Sequence, residues 1–510
     1  MKCISKALVG GFYALFLFVP AASDARGLPS RASVDIEAEM AFDALLSRVA
    51  QKTLDQYRMK TGSQAPDQAV ARFDVSTGSV TVELRGWLPE TGGAELEDLQ
   101  GQLMNEVLDQ ARLIYPASGI EFRYNGKSFE EHYPEEAAAT PLSPRRLTLP
   151  GPVVVSAGHG WYFHHQYRDW RAQRDPSNGI IEDEITPGYA DELRHWLMTR
   201  SSVDVSRARS RAADSHEASL QAWWRMAARY RFQASFPGKP EIWSSLPGST
   251  HPLRERDEDI RSRPLYANDI NAAALFHLHT NAAGPAATGA RVFFERGRGE
   301  DERLGRSILC YMKELITSQD GYASYMVPAA PEAGSHGENR LAQMPSVIVE
   351  AGFHTNPSDA IALQDPVFRA AAMKGVEKGY RLHREGRDCA PLKAGPIRGL
   401  QLPQGMSEEV DVPFEGYPQY PIELVTTNIA CPPTWTCRDG LVRIHAPGDQ
   451  PYRITIRCEN VGTAPVIWHT SVVDADGVKS PPVRHSVVCI RNTGRADLEV
   501  SVAAGAAVAG

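Results

Sequence analysis

The sequence predicts an α/β fold: a mixed or parallel sheet covered by helices on both faces, with a small N-terminal α/β module and a C-terminal β-sandwich. Three observations lead there. Short apolar strands at residues 152–156, 272–279 and 345–349 are too uniformly apolar to leave one face in water. Helical stretches at 187–198, with Thr186 as the expected N-cap, and at 303–316 lie between them. After about Leu400 helical periodicity gives way to short alternating runs broken by Pro, Gly, Asn and Asp.

Taken in order, the chain starts with a leader. Lys2 and Lys6 precede an apolar run over 7–19, and Ala21, Ala22 and Ser23 supply the small residues of a cleavage site, so residues 1–23 read as a signal peptide of an exported protein. Its removal takes Cys3 with it and leaves six cysteines, Cys310, Cys389, Cys431, Cys437, Cys458 and Cys489, an even set suited to disulfides. Fifteen pairings are formally open, with a local bridge between Cys431 and Cys437 the first expectation. No integral membrane segment is expected after cleavage, and the periplasm is the expected location, with secretion beyond it open.

Residues 35–130 form the expected small module. Phe42, Leu45, Leu46 and Val49 lie on one face of a helix over 36–57, and Leu96, Leu99, Leu103 and Val107 on one face of another. Strands are expected at 71–75, 79–87 and 120–124, the second with Val80, Val82 and Leu84 alternating. No metal-ligand cluster or nucleophile signature is visible there, so binding or packing is the default role. Residues 131–150, rich in Ala and Pro, read as a linker into the next domain, over 151–388. The β-sandwich is expected over 400–502, and residues 503–510 as a tail.

Composition excludes other classes. At 510 residues with 42% hydrophobic and 23% charged, the chain reads as globular rather than disordered. Lys+Arg 54 against Asp+Glu 62, a net charge of -8, gives no basic footprint for nucleic acid.

The chemistry gathers at the strand tips. The first strand ends in Ala157-Gly158-His159-Gly160, the second in His279-Thr280-Asn281, the third in Glu350-Ala351-Gly352. In such sheets ligands bind beyond the carboxyl ends of the strands. Two histidines there, with a carboxylate beside them, suit a hydrolytic metal site, which needs a few ligands, an open position and a nearby acid/base group.

These three blocks, Val153 to Gly160, Leu275 to Ala282 and Ser346 to Asp359, resemble the signature blocks of the zinc-dependent N-acetylmuramoyl-L-alanine amidases. Arg263 followed by Ala267 and Asn268 is similar to that family's arginine and Ala-Asn stretch. The resemblance covers about 150–385 and implies an α/β domain that cuts the amide between N-acetylmuramic acid and L-alanine in peptidoglycan or its muropeptide fragments. It implies a Zn2+ held by His159, His279 and a glutamate between them, and Glu350 as general base and then acid. Asn178-Gly-Ile-Ile-Glu182-Asp-Glu184 offers Glu182 as that glutamate, with Glu184 the open alternative and Asp183 less favoured. Arg263 and His354 are candidate substrate contacts, Arg263 equally a structural ion pair; His277 reads first as buried packing and otherwise as a support beneath the metal, and Tyr162, His164 and His165 as groove lining or equally as surface residues.

One departure from the family stands out. The intervals between the ligands are long, and the excess, about 201–264, contains an aromatic, arginine-rich stretch from Trp223 to Phe232 that reads as an amphipathic helix, a lid or wall of the groove or a helix packed on the surface. Two other readings remain open at this point: a zinc hydrolase of another amide on the same scaffold, and a non-catalytic wall-binding or regulatory protein. A protein activator is also open.

Overall fold

The computed structural model describes residues 31–62, 65–89, 91–139, 151–449 and 452–492. The expected leader at 1–23, residues 140–150 of the expected linker and the tail at 503–510 lie outside them. A single sheet organises the first three-quarters of the chain. Its strands are β1 (Gln68–Asp74), β2 (Ser79–Arg85), β3 (Gly119–Tyr124), β4 (Val153–Ala157), β7 (Val205–Arg207), β8 (Ala274–Asn281), β9 (Arg291–Glu295), β10 (Glu332–Gly334) and β11 (Ser346–Phe353), in the spatial order β1-β2-β3-β10-β9-β11-β8-β4-β7. A separate hairpin joins β5 (Tyr162–His164) to β6 (Asp169–Arg171). The β1–β2 and β9–β11 pairs of the sheet are antiparallel and the rest parallel. The N-terminal strands are therefore an extension of the catalytic sheet, joined where Gly119 of β3 meets Ala333 of β10.

The long helices are α1 (Arg31–Thr61), α2 (Ala94–Arg112), α3 (Glu182–Arg200), α4 (Arg254–Asp269), α5 (Gly299–Thr317) and α6 (Pro366–Arg384). Successive strand side chains point to opposite faces, and the central strands are apolar on both. Val153, Val155, Phe276, Leu278, Val347 and Val349 pack in one core with Leu193 of α3, Ile308 of α5 and Val376 of α6. The intervening Val154 and Leu275 pack with Tyr266 of α4, and Ile348 and Phe293 join the core built on α1 and α2. By the same alternation His277 and His279 share the parity of Leu275, and Glu350 that of Ile348. The face that carries these three residues is thus the face covered by α1, α2 and α4.

Two local expectations need correction. Helix α3 starts at Glu182, five residues before Pro187, and Thr186 is not its cap. Pro187 cannot donate to the Asp183 carbonyl four residues back; the buried Arg209 donates to that carbonyl instead, at 2.8 Å, so a turn of helix survives ahead of the proline. The Thr186 hydroxyl bonds the Glu182 and Gly158 carbonyls. The stretch from Trp223 to Phe232 is not one helix: a short turn over Trp223–Arg225 precedes the helix Ala228–Ser235, with Met226 and Ala227 extended between them. Trp161 pulls that break open by exchanging backbone hydrogen bonds with Arg225 and Ala227.

The C-terminal region is β-rich, as expected. Leu400–Pro403, Val483–Ile490, Val466–Val473, Ile422–Ala430 and Gly440–Ile444 form a five-stranded sheet in that spatial order, and Ser407–Asp411 pairs with Arg453–Arg457 opposite it. Leu424, Val472, Val487, Val410 and Ile454 fill the core between. All six expected disulfide cysteines pair: Cys310 with Cys389, Cys431 with Cys437, and Cys458 with Cys489. Among the described residues no helix is long and apolar enough to cross a membrane.

Candidate metal centre

The three strand-tip residues and Glu182 come together. His159 follows β4 with a left-handed backbone (φ 56°), which turns its ring back over the sheet. Its neighbours must be glycine for separate reasons. A Cβ on Gly158 would stand 2.5 Å from the His279 ring, and one on Gly160, itself at φ 127°, would meet the Ala227 backbone at 2.6 Å. His279 lies near the end of β8, in register with Glu350 on β11. Glu182 opens α3.

The donor atoms form a nearly regular triangle. His159 Nε2 is 3.2 Å from His279 Nδ1 and 3.4 Å from Glu182 Oε1, and His279 Nδ1 is 3.0 Å from Glu182 Oε1. Ligand bonds of about 2.0–2.1 Å in a tetrahedral site imply ligand–ligand edges of about 3.3 Å, so the triangle fits a zinc ion with one position left open. Each imidazole turns one ring nitrogen toward the triangle and the other toward a polar partner. His159 Nδ1 faces Gln173 Oε1 at 3.2 Å, and the Gln173 amide nitrogen donates to Asp259. His279 Nε2 faces Glu338 Oε2 at 3.0 Å. Such outer contacts set the tautomer and orientation of metal-binding histidines.

The electrostatics favour a cation. Burial pushes the His159 imidazole down to about 3, which keeps it a neutral lone-pair donor. Burial also works against charge on His279, but Glu338 and Glu182 beside it lift it to about 10. Burial acts to raise Glu182, yet His159 and His279 hold it well below the usual carboxylate range. Glu350 behaves differently: burial, with the repulsion of Glu182, outweighs the pull of His279 and pushes it up to about 8. Its Oε2 is buried and without a hydrogen-bond partner. A buried carboxyl beside a metal triangle, outside it and without a hydrogen-bond partner, is placed to take up and return a proton.

The open alternatives for the third ligand do not reach the triangle. Asp183 is buried under β4, accepting from the backbone N–H groups of Gly160, Gln173 and Arg174, and Glu184 pairs with Arg225. Arg263, a candidate substrate contact, is fully buried and does not line the cavity. Its guanidinium bonds Glu338, Asp259 and the His159 carbonyl, tying both histidine supports together. His354 does line the cavity, its Nδ1 2.9 Å from the Thr280 hydroxyl. His277 is fully buried, 3.5 Å from Glu338. Tyr162, His164 and His165 lie outside the cavity, His165 against Glu255.

The cavity holds about 660 Å3, and most of its lining residues carry no site signature in the sequence. Helix α2 supplies Asp98, Met104 and Asn105, and α1 supplies Tyr57 and Lys60. Asp98 bonds Arg174 at 2.7 Å and Arg256 at 2.6 Å; Asn105 bonds Asn281 at 2.8 Å. From the 201–264 stretch only Arg256 and Ile260 of α4 reach this wall. Glu338, Gln173 and Asp98 carry no local signature; the one available signal was the polar run Ser335-His-Gly-Glu338, set between apolar segments.

A covered α/β sheet bearing two histidines at adjoining strand tips and a glutamate at the start of a helix, with the unpartnered Glu350 oxygen beside them, has the donor set of a metal-dependent hydrolase. Residues 153–381 match the family model described as N-acetylmuramoyl-L-alanine amidase. Similar solved structures include the CwlD amidase from Clostridioides difficile in complex with the GerS lipoprotein (15% identity, 46% of this chain and 99% of that one, TM-score 0.32). Another is an N-acetylmuramoyl-L-alanine amidase from Clostridium difficile 630 (16% identity, 46% and 96%, TM-score 0.31). A third is the amidase Ami1 from Mycobacterium smegmatis (15% identity, 46% and 98%, TM-score 0.31). No curated protein matches the chain.

Proposed function

We propose that the chain is an exported, zinc-dependent peptidoglycan amidase that hydrolyses the amide between N-acetylmuramic acid and the L-alanine of the stem peptide. The observation that carries this is the triangle of His159, Glu182 and His279, with edges of 3.0–3.4 Å, beside the unpartnered Oε2 of Glu350. Zinc held there supplies Lewis-acid polarisation of the amide carbonyl and acidifies the attacking water. Glu350 takes the water's proton on Oε2 and delivers it to the leaving amine of L-alanine. Gln173 and Glu338 keep the two imidazoles in the required tautomers. Asp98, Arg174 and Arg256 form the charged wall against which the stem peptide is positioned, and α2 keeps the floor of the cavity shielded from bulk water. Three disulfides and the leader expected from the sequence support export, with the periplasm as the compartment.

The test is digestion of purified muropeptides with and without a chelator, followed by product masses. Chelator-sensitive release of intact stem peptides with a free L-alanine amine, and of peptide-free sugar, is the expected result. Cleavage within the peptide, or cleavage indifferent to chelation, would overturn the reading.

A further inference from the structure

A second cavity, of about 810 Å3, lies away from the metal centre. The rings of Phe163, Trp170, His216, Trp223 and Tyr230 stand around it. They meet edge-on or tilted: Trp170 to His216 at 5.2 Å and 73°, His216 to Trp223 at 4.8 Å and 78°, Phe163 to Trp170 at 5.5 Å and 64°. Trp170 and Trp223 pack on the small core of Tyr162, Met226 and Tyr230, yet all the rings but Tyr230 stay partly exposed toward the hollow. Half-covered rings around a hollow are not what a packed core needs, and clustered exposed aromatics mark binding surfaces.

The floor of the hollow is charged and fixed. Arg229 bonds Glu255 and Glu258, each at 2.8 Å, and the Tyr230 hydroxyl bonds Glu255. Arg229 is 6% exposed, so a rigid buried ion-pair cluster has been built beneath the rings. That floor separates the candidate ligands. A purely apolar ligand would strand the charges of Arg229 and Glu255 against hydrocarbon. An ammonium group would meet the Arg229 guanidinium; of the two carboxylates lining the hollow, Glu255 is already engaged by Arg229 and Tyr230, and Glu217 is exposed to water, where its attraction is screened. A pyranose ring satisfies both surfaces, laying its C–H face on the aromatic rings and turning hydroxyl and amide groups to the polar floor and to Gln233 at the rim.

The two cavities are mechanically linked. Trp170 of β6 faces the second one and Gln173, three residues further along, holds His159; an extended chain spans that interval in about 10 Å. On α4, Glu255 lines the second cavity and its neighbour Arg256 the first. His216, Trp223, Arg229 and Tyr230 all belong to the stretch 201–264 that lengthens the interval between metal ligands.

We propose that this aromatic cavity is a glycan subsite, which holds an N-acetylhexosamine ring of the peptidoglycan strand while the metal centre acts on a stem peptide of the same strand. It rests on the reading of peptidoglycan as substrate for the identity of the sugar. The test separates the two, because it uses N-acetylglucosamine tetrasaccharide, which carries no lactyl amide to cut. Calorimetric titration of the full chain should give saturable binding that is unchanged by chelator. Trp223→Ala and Trp170→Ala should each weaken it about tenfold, the share of one stacking contact, while Trp223→Tyr retains it. On the unaltered protein the tetrasaccharide should slow oxidation of Trp170 and Trp223 by N-bromosuccinimide, a readout that requires no variant to fold. Absence of saturable binding, binding indifferent to both alanine substitutions, or Trp223-dependent binding of a free stem tetrapeptide instead would overturn the proposal, whatever the fate of the amidase reading.

Discussion

The N-terminal module adds β1–β3 to the catalytic sheet and lays α1 and α2 over the metal centre, whereas the C-terminal module keeps its own sheets, its own core and two of the three disulfides. The first shares apolar core with the catalytic strands through Phe293 and Ile348. The second meets the catalytic domain at Leu315 and at a small polar junction, where Asp476 receives Arg200 through two bonds of 2.7 and 2.8 Å and Lys374 at 2.8 Å. Two segments that both read in sequence as appended modules therefore stand in different relations to the reaction. One is a wall of the active site, the other a neighbour.

Deletion tests that difference with the largest expected effect. Removing residues 24–130 uncovers Ile348, Phe293 and the cavity, and should cost at least about 100-fold in muropeptide turnover, the scale of a misplaced reacting geometry. Removing residues 400–510 should leave zinc binding and turnover within about threefold, far less than a misplaced site costs. Equal losses from both deletions would erase the distinction. A finer cut at the same seam is Asp98→Asn, which leaves Arg174 and Arg256 short of their shared carboxylate. It should lower stability by about 3 kcal/mol, the low end for breaking a largely buried pair, and raise KM for muropeptides. The matching change at the other junction, Asp476→Asn, should loosen only the C-terminal module, seen as an earlier separate melting step with turnover retained.

The smallest effect expected is on pH. Burial pushes Glu97 and Asp257, on either side of the N-terminal seam, up to about 7 against the pull of Arg340 on one and of the Ala94 N–H and Arg256 on the other. The folded state then holds protons that the unfolded chain has already lost, so stability of this seam falls as pH rises from about 4 to about 7. Burial also acts to raise Asp476, but Arg200 and Lys374 bring it below its ordinary value. Its contribution is present above the ordinary aspartate range and is lost only as pH falls below it. Hydrogen exchange compared at pH 5.5 and 8 should therefore show α2 less protected at the higher pH and the strand at Val466–Val473 unchanged. The opposite pattern would contradict the two assignments.

The comparison also explains what could be read from the chain alone. The sheet core and the four residues of the centre were legible because each histidine or glutamate ends, or closely follows, a stretch with its own signature: the apolar runs of β4, β8 and β11, and Gly-Ile-Ile before Glu182. The wall from α2 was not. Asp98 and Asn105 sit in an amphipathic helix whose periodicity says only that one side is buried, and their partners Arg256 and Asn281 lie 158 and 176 residues away. The joint between module and domain is one backbone pairing to the three-residue β10, too short to carry a strand pattern. Arg263 shows the same limit from the other side: its presence in the expected block was legible, but its burial against Glu338 and Asp259 depends on a short helix 75 residues downstream.

The account's central claim is that His159, Glu182 and His279 hold the metal while Glu350 alone moves the proton. The most direct measurement is zinc content and muropeptide turnover of Glu350→Gln side by side. The account predicts one zinc per chain, as in the unaltered protein, with turnover reduced about 1,000-fold or more, within the range expected for a lost acid/base group. Near-normal turnover, or loss of the zinc along with the activity, would contradict it.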